Sequence, residues 1–97
     1  MAEFVAQNLF RDLEYQFKYL ESTIEDLKTN NTKENFIKAK ENMSDIENLL
    51  YAKIPGTLNK INDNKIEKKE DFQEELEFAE ETYAELIQKF KDIQTNN

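Results

Sequence analysis

Carboxylates are the one chemically active class of side chain this sequence carries in a pattern. Glu70, Glu74, Glu77, Glu81 and Glu85 step by four, three, four and four residues. Residues three and four apart are neighbours on the surface of an α-helix, so all five fall on one ridge. Adjacent pairs such as Glu74 with Glu77, or Glu77 with Glu81, have the charge and the oxygen donors for a hard cation. A cation site also needs enclosing ligands from a second element, and no twelve-residue acidic calcium loop is in register. The ordinary fate of such a row is a solvated outer face. Two sharper uses are electrostatic. The ridge could dock a basic protein surface, or it could imitate a phosphate backbone and occupy the nucleic-acid groove of an enzyme.

Other chemistry lacks its residues. There is no His and no Cys, which removes the commonest general base, the commonest metal ligand, thiolate chemistry and disulfides. Gly56 is the only glycine, so no Gly-rich phosphate loop exists. Without a Glu-x-x-His pair, a di-iron carboxylate bundle is excluded in its usual form. Ser22, Ser44 and the tyrosines have no neighbouring base to activate them. No catalytic, cofactor-binding or metal residue is predicted, and a metal-binding or enzymatic carboxylate bundle stands last among the functional readings.

The elements that must carry these residues are written in a repeated apolar spacing. Phe10, Leu13, Phe17, Leu20, Ile24 and Leu27 form one stripe, Phe36, Ala39, Met43, Ile46 and Leu50 a second, and Phe72, Leu76, Ala79, Tyr83, Leu86, Phe90 and Ile93 a third. Alternating steps of three and four average 3.5, the period of a helix seam in a left-handed coiled coil. With one Gly and one Pro in 97 residues, the turn chemistry of a many-stranded sheet is missing.

Two breaks punctuate the stripes. At Thr29-Asn30-Asn31-Thr32 the periodicity stops behind Lys28, a cation suited to a helix C-terminus, and Thr32, or Asn31 with Glu34, can cap the next helix. A connection this short makes the first two helices antiparallel neighbours. Pro55 lacks an N–H and disfavours helical angles at Ile54, which predicts that the second helix stops at Lys53, with Gly56 extending the turn. The predicted organisation is one helical domain: a first helix over 3–29, a second over 32–53, and a linker over 54–66 with a short helical piece carrying Leu58 and Ile61. A third helix spans 67–94, restarted by Asn64 and Glu67 after the Asn62-Asp63-Asn64 break, and a frayed tail covers 95–97.

The expected fold is all-α, an up-down-up antiparallel three-helix bundle with coiled-coil-like heptad packing. Its rival is a helical hairpin that pairs with a second copy into a longer bundle. No apolar run approaches the roughly 18 residues that span a bilayer, and Met1-Ala2-Glu3-Phe4 lacks the basic region and apolar run of a signal peptide. These features predict a soluble cytoplasmic protein without membrane insertion.

Charge is uneven. Residues 70–97 carry nine acids against two bases, a net of −7 in a chain of net −8. A small basic group, Lys60, Lys65, Lys68 and Lys69, precedes them. Direct binding of DNA or RNA is not expected, because phosphate neutralisation requires a Lys/Arg surface.

What the seams leave over is aromatic. Tyr15 and Tyr19 lie one turn apart on the outer side of the first helix, and Phe4 lies eleven residues before Tyr15 in nearly the same direction. These three are the predicted contacts for a protein partner or a second copy. Ile37, Tyr51 and Phe78 also turn from their seams, a direction that in a three-helix bundle is a flank of the core. The sequence thus points to a non-catalytic helical interaction module, an adaptor, chaperone-like or inhibitor protein. Its partner is a protein, a basic one if the carboxylate ridge takes part. An acidic mimic of nucleic acid is the alternative. No motif resembles a known family.

Overall fold

The computed structural model describes residues 1–61 and 66–96. Among the described residues four α-helices succeed one another: α1 (Ala2–Thr29), α2 (Lys33–Asn48), the short α3 (Ile54–Leu58) and α4 (Ile66–Asn96), with one turn of π-helix, Leu49–Lys53, joining α2 to α3. Because α2, the π turn and α3 form one helical path, the architecture is a three-helix bundle, and the described residues contain no strand. Every residue of the three apolar stripes is buried or half-buried.

Contacts fix the directions. Gln16 of α1 meets Asn42 of α2, and the ring of Phe36, early in α2, lies 5.6 Å from that of Phe90, late in α4. Phe10 and Phe72, both early in their helices, stack at 5.8 Å with their planes 11° apart. Beside them Lys68 Nζ lies 3.2 Å from Glu3 Oε2. Hence α1 and α4 run the same way and α2 runs against both, which is the up-down-up order. The body measures 52 × 18 × 16 Å, a length set by α1 and α4.

The first connection is capped as its residue types require. Thr32 is the N-cap of α2, and its hydroxyl accepts from the Asn35 N–H at 3.1 Å. The Asn35 side chain in turn donates to the Asn30 carbonyl at 3.0 Å. One free N–H and one free carbonyl are thereby satisfied across a three-residue link.

The second connection differs from the sequence expectation. The helix predicted to end at Lys53 continues through Pro55, with Ile54 at helical angles of φ −67° and ψ −52°. The π turn explains the difference. Ile54 N–H donates to Leu49 O, five residues back, and the widened turn displaces the carbonyl that a proline ring would otherwise strike four residues back. It also shifts the apolar stripe, so the adjacent Leu49 and Leu50 are both buried, as are Ile54 and Leu58 beyond them. Burying four large side chains outweighs the local preference against helix before proline. The path closes after Leu58, where Asn59 N–H reaches Pro55 O and Ile61 N–H reaches Leu58 O, each at 3.1 Å. Leu58 and Ile61 are both in the core. The Asn62-Asp63-Asn64 break lies outside the described residues, and with it the Asn64 half of the Asn64–Glu67 capping pair, as does Asn97 at the end of the tail.

Packing is layered. The large side chains with under 2% exposure are Leu13, Leu20, Ile24, Leu27, Ile46, Leu50 and Ile54, all from α1, α2, the π turn and α3. The stripe of α4 covers this hairpin more shallowly, through Phe72, Tyr83, Leu86, Phe90 and Ile93. No described Cα of α4 lies within 8 Å of one in α2, and aromatic side chains span the gap. Ile37, Tyr51 and Phe78, expected at flanks of the core, are exposed. No described helix is long and apolar enough to cross a membrane.

Candidate functional site

Tyr15 and Tyr19 stand on the side of α1 away from its seam, where consecutive turns of one helix hold them side by side. They remain 68% and 54% exposed. Facing them, α2 presents Lys38, Glu41, Asn42 and Asp45, and between the two helices runs a groove of about 440 Å³ lined by these six residues and Gln16. A second hollow of about 210 Å³ continues it along the same pair of helices, sharing Tyr15, Gln16 and Asp45 and adding Asp12, Asn48, Leu49 and Lys53. Arg11, Glu14 and Lys18 border the other side of Tyr15. The Tyr15 ring is therefore a wall between depressions rather than a side chain lying flat on the surface.

The floor of the groove is polar. Asn42 is 4% exposed, and its amide Nδ2 donates to Gln16 Oε1. Its carbonyl Oδ1 is buried without a hydrogen-bond partner. A buried amide oxygen in that state is uncommon in native proteins and calls for a donor. At one end of the groove the Lys38 ammonium lies 3.6 Å from the Glu34 carboxylate.

Phe4, 64% exposed, lies eleven residues before Tyr15, about 16 Å of helix rise. Of the three aromatic residues predicted as partner contacts, Tyr15 and Tyr19 share one groove, and Phe4 stands apart from it.

Along α4, Glu70, Glu74, Glu77, Glu81 and Glu85 are all exposed. Glu75, just off that ridge, packs toward α1 in a cleft lined by Gln7, Phe10, Arg11, Glu14 and Phe72. Although Glu75 remains exposed, desolvation against the cleft lifts its carboxyl above the usual range, and the Glu14 carboxylate adds to the shift. Among the described residues no three His, Cys, Asp or Glu side chains converge to hold a metal ion. The ridge is thus a line of separate charges.

No protein-family model matches this chain. Neither a curated protein nor a solved structure matches it.

Five groove residues bear no catalytic or aromatic signature in the sequence: Gln16, Lys38, Glu41, Asn42 and Asp45. A signal for two of them exists in the spacing. Gln16 sits three after Leu13 and four before Leu20, and Asn42 sits three after Ala39 and four before Ile46. Each is a polar residue at seam spacing, beside the nominal stripe, and such positions are either errors of patterning or buried pairs.

Proposed function

We propose that this chain is a non-catalytic helical interaction module that presents the outer face of α1 and α2 to a protein partner. The observation that carries the proposal is the pair Tyr15 and Tyr19 standing exposed on the rim of a groove with a polar floor. Aromatic side chains that keep both an apolar ring and a hydroxyl accessible are the residues most often found at the centre of protein interfaces. Neither is used by the fold, because the seam residues of α1 fill the core without them.

The test is Tyr15→Ala combined with Tyr19→Ala in the full chain. Both side chains are exposed, so helicity and melting temperature should stay near wild type, while capture of the partner should be lost. If capture and oligomeric state both survive the double substitution, this face is not the interaction surface.

A second reading, an acidic inhibitor that imitates nucleic acid, is favoured by a different observation, the five exposed carboxylates in register along α4. Replacing Glu74, Glu77 and Glu81 by Lys separates the two, because it would abolish that mode while leaving the α1–α2 face intact. Binding through the ridge would also weaken steeply with added salt.

A further inference from the structure

The groove between α1 and α2 has a chemistry more specific than an interface in general. One wall carries the rings of Tyr15 and Tyr19, one turn apart, and the other carries Glu41 and Asp45, also one turn apart. The floor carries the Asn42 amide, which donates to Gln16 and holds its Oδ1 buried beneath the surface. Lys38, the one cation among the described residues that line this groove, lies at its end within ion-pair distance of Glu34. Aromatic faces and carboxylates ask for the same visitor, a cation rich in N–H donors.

Lysine and arginine differ in how well they meet that request. A guanidinium is planar, so it stacks on a phenol ring, and its fixed fork of N–H groups meets a carboxylate through two parallel bonds. An ammonium is a compact and strongly hydrated point charge that does neither as well. The continuing hollow at Asp12, Asp45 and Lys53 gives the neighbouring residues of an extended segment a place to lie. A second copy of this chain is a poor occupant, since each copy carries a net charge of −8 and like charges oppose the approach.

We infer that the α1–α2 groove is a receptor for an arginine side chain of a basic partner protein, seated between the Tyr15 and Tyr19 rings and the Glu41 and Asp45 carboxylates above the Asn42 amide. The inference rests on the interaction reading above and adds to it the chemical identity of what is bound. Asn42 Oδ1 lies beneath the groove surface, out of direct reach, and the Asn42–Gln16 pair is the polar floor on which the guanidinium rests. Glu41 and Asp45 fix its charge, and the rings exclude water from one face.

The experiment is an NMR titration of the full chain with a blocked alanine–glutamine peptide carrying one central arginine. The same peptide with citrulline, which keeps the shape and loses the charge, serves as comparison. The arginine peptide should shift the side-chain amides of Asn42 and Gln16 and the backbone signals of Tyr15 and Tyr19 saturably, and citrulline should weaken binding roughly tenfold or more. Glu41→Gln with Asp45→Asn should weaken it by about the same factor, whereas Asp71→Asn with Glu80→Gln, which removes equal charge from α4, should leave it within about twofold. Circular dichroism checks that both variants keep their helices. Equal losses in the two variants would mean that the arginine feels only the overall acidity, and the inference fails. It fails equally if citrulline binds as well as arginine, if Asn42 does not respond, or if no signal moves by about 10 mM peptide. Partner capture by the Tyr15→Ala, Tyr19→Ala variant judges the interaction reading separately, so a failed titration overturns the arginine seat alone.

Discussion

Tyr83 of α4 donates its hydroxyl to the carboxylate of Glu47 on α2, and the Met43 carbonyl lies 3.4 Å from the same oxygen. This phenol crosses the space that the two backbones leave between them. Burial holds it protonated well above the usual tyrosine range, and its hydrogen bond to Glu47 and the charge of that carboxylate act in the same direction. Removing the hydroxyl by Tyr83→Phe should cost about 1.5 to 3 kcal/mol, the range for a hydrogen bond to a charged acceptor. Urea unfolding at neutral pH measures it. Since the folded state keeps the proton longer than the unfolded chain, wild-type stability should fall as pH rises past the ordinary tyrosine value of about 10. The Tyr83→Phe variant should lack that component of the alkaline loss.

Glu75 behaves in the opposite sense to a salt-bridged carboxylate. Its pKa is raised by desolvation against the cleft and by Glu14, so the folded state binds its proton more readily than the unfolded chain does. Stability from this group is gained as pH falls through its raised pKa and is absent at neutral pH, where the charged form is held against its environment. Glu75→Gln should therefore raise the melting temperature at pH 7. The difference between variant and wild type should shrink toward acid pH, once Glu75 is neutral in both states.

Asn42 is a specificity device held at some expense of stability. Its amide is buried with one of its two polar ends unmatched, and its partner Gln16 is half-buried, close enough to water to rehydrate. Asn42→Leu should raise stability by about 1 kcal/mol, because apolar isosteres replace buried polar pairs at little or no cost. The same substitution should weaken the arginine response of the groove, because it takes the polar amide from the floor. A variant that is more stable yet binds less well would separate the two roles of this residue.

Gly56 is the simplest target for stabilisation. It lies inside α3, no Gly in the structure has a positive φ, and an added methyl group would meet nothing within 4 Å. Gly56→Ala should stabilise the protein by about 0.5 to 1 kcal/mol through the lower entropy of the unfolded chain and better helix propensity. Thermal unfolding would show a rise in melting temperature with no change in the spectrum of the folded state.

Much of the fold can be read from the sequence because burial and periodicity agree. Phe10, Leu13, Leu20, Met43, Ile46, Leu86 and Phe90 are placed in the core by spacing alone, and Thr32 is one of the two caps that the residue types allow, the other being Asn31 with Glu34. Pro55 is less transparent for a physical reason. Its rule is local, and the stripe Leu50, Ile54, Leu58 is a tertiary demand that reaches across it. The π turn reconciles the two, and nothing within a few residues of Pro55 announces such a turn.

The site divides the same way. Tyr15 and Tyr19 can be singled out as aromatic residues the seam does not consume. Their groove cannot, because it depends on which residues of α2 come opposite them, and that register is a property of the packed pair. Gln16 and Asn42 show why pattern reading passes over such residues. A polar residue near a seam looks like surface until a partner is known to lie across from it.

The unequal depth of the two layers implies an order of opening in time. The tight layer belongs to the hairpin of α1 with the path from α2 to α3, and α4 lies over it on a few aromatic anchors. Amide protons of α4 should therefore exchange with solvent through a partial opening that leaves the hairpin closed, while those of α1 around Leu20 and Ile24 wait for the whole molecule to unfold. In that partly opened molecule the groove of the hairpin would persist, with Tyr15 and Tyr19 keeping their places. The binding face and the outer helix are thus on separate clocks.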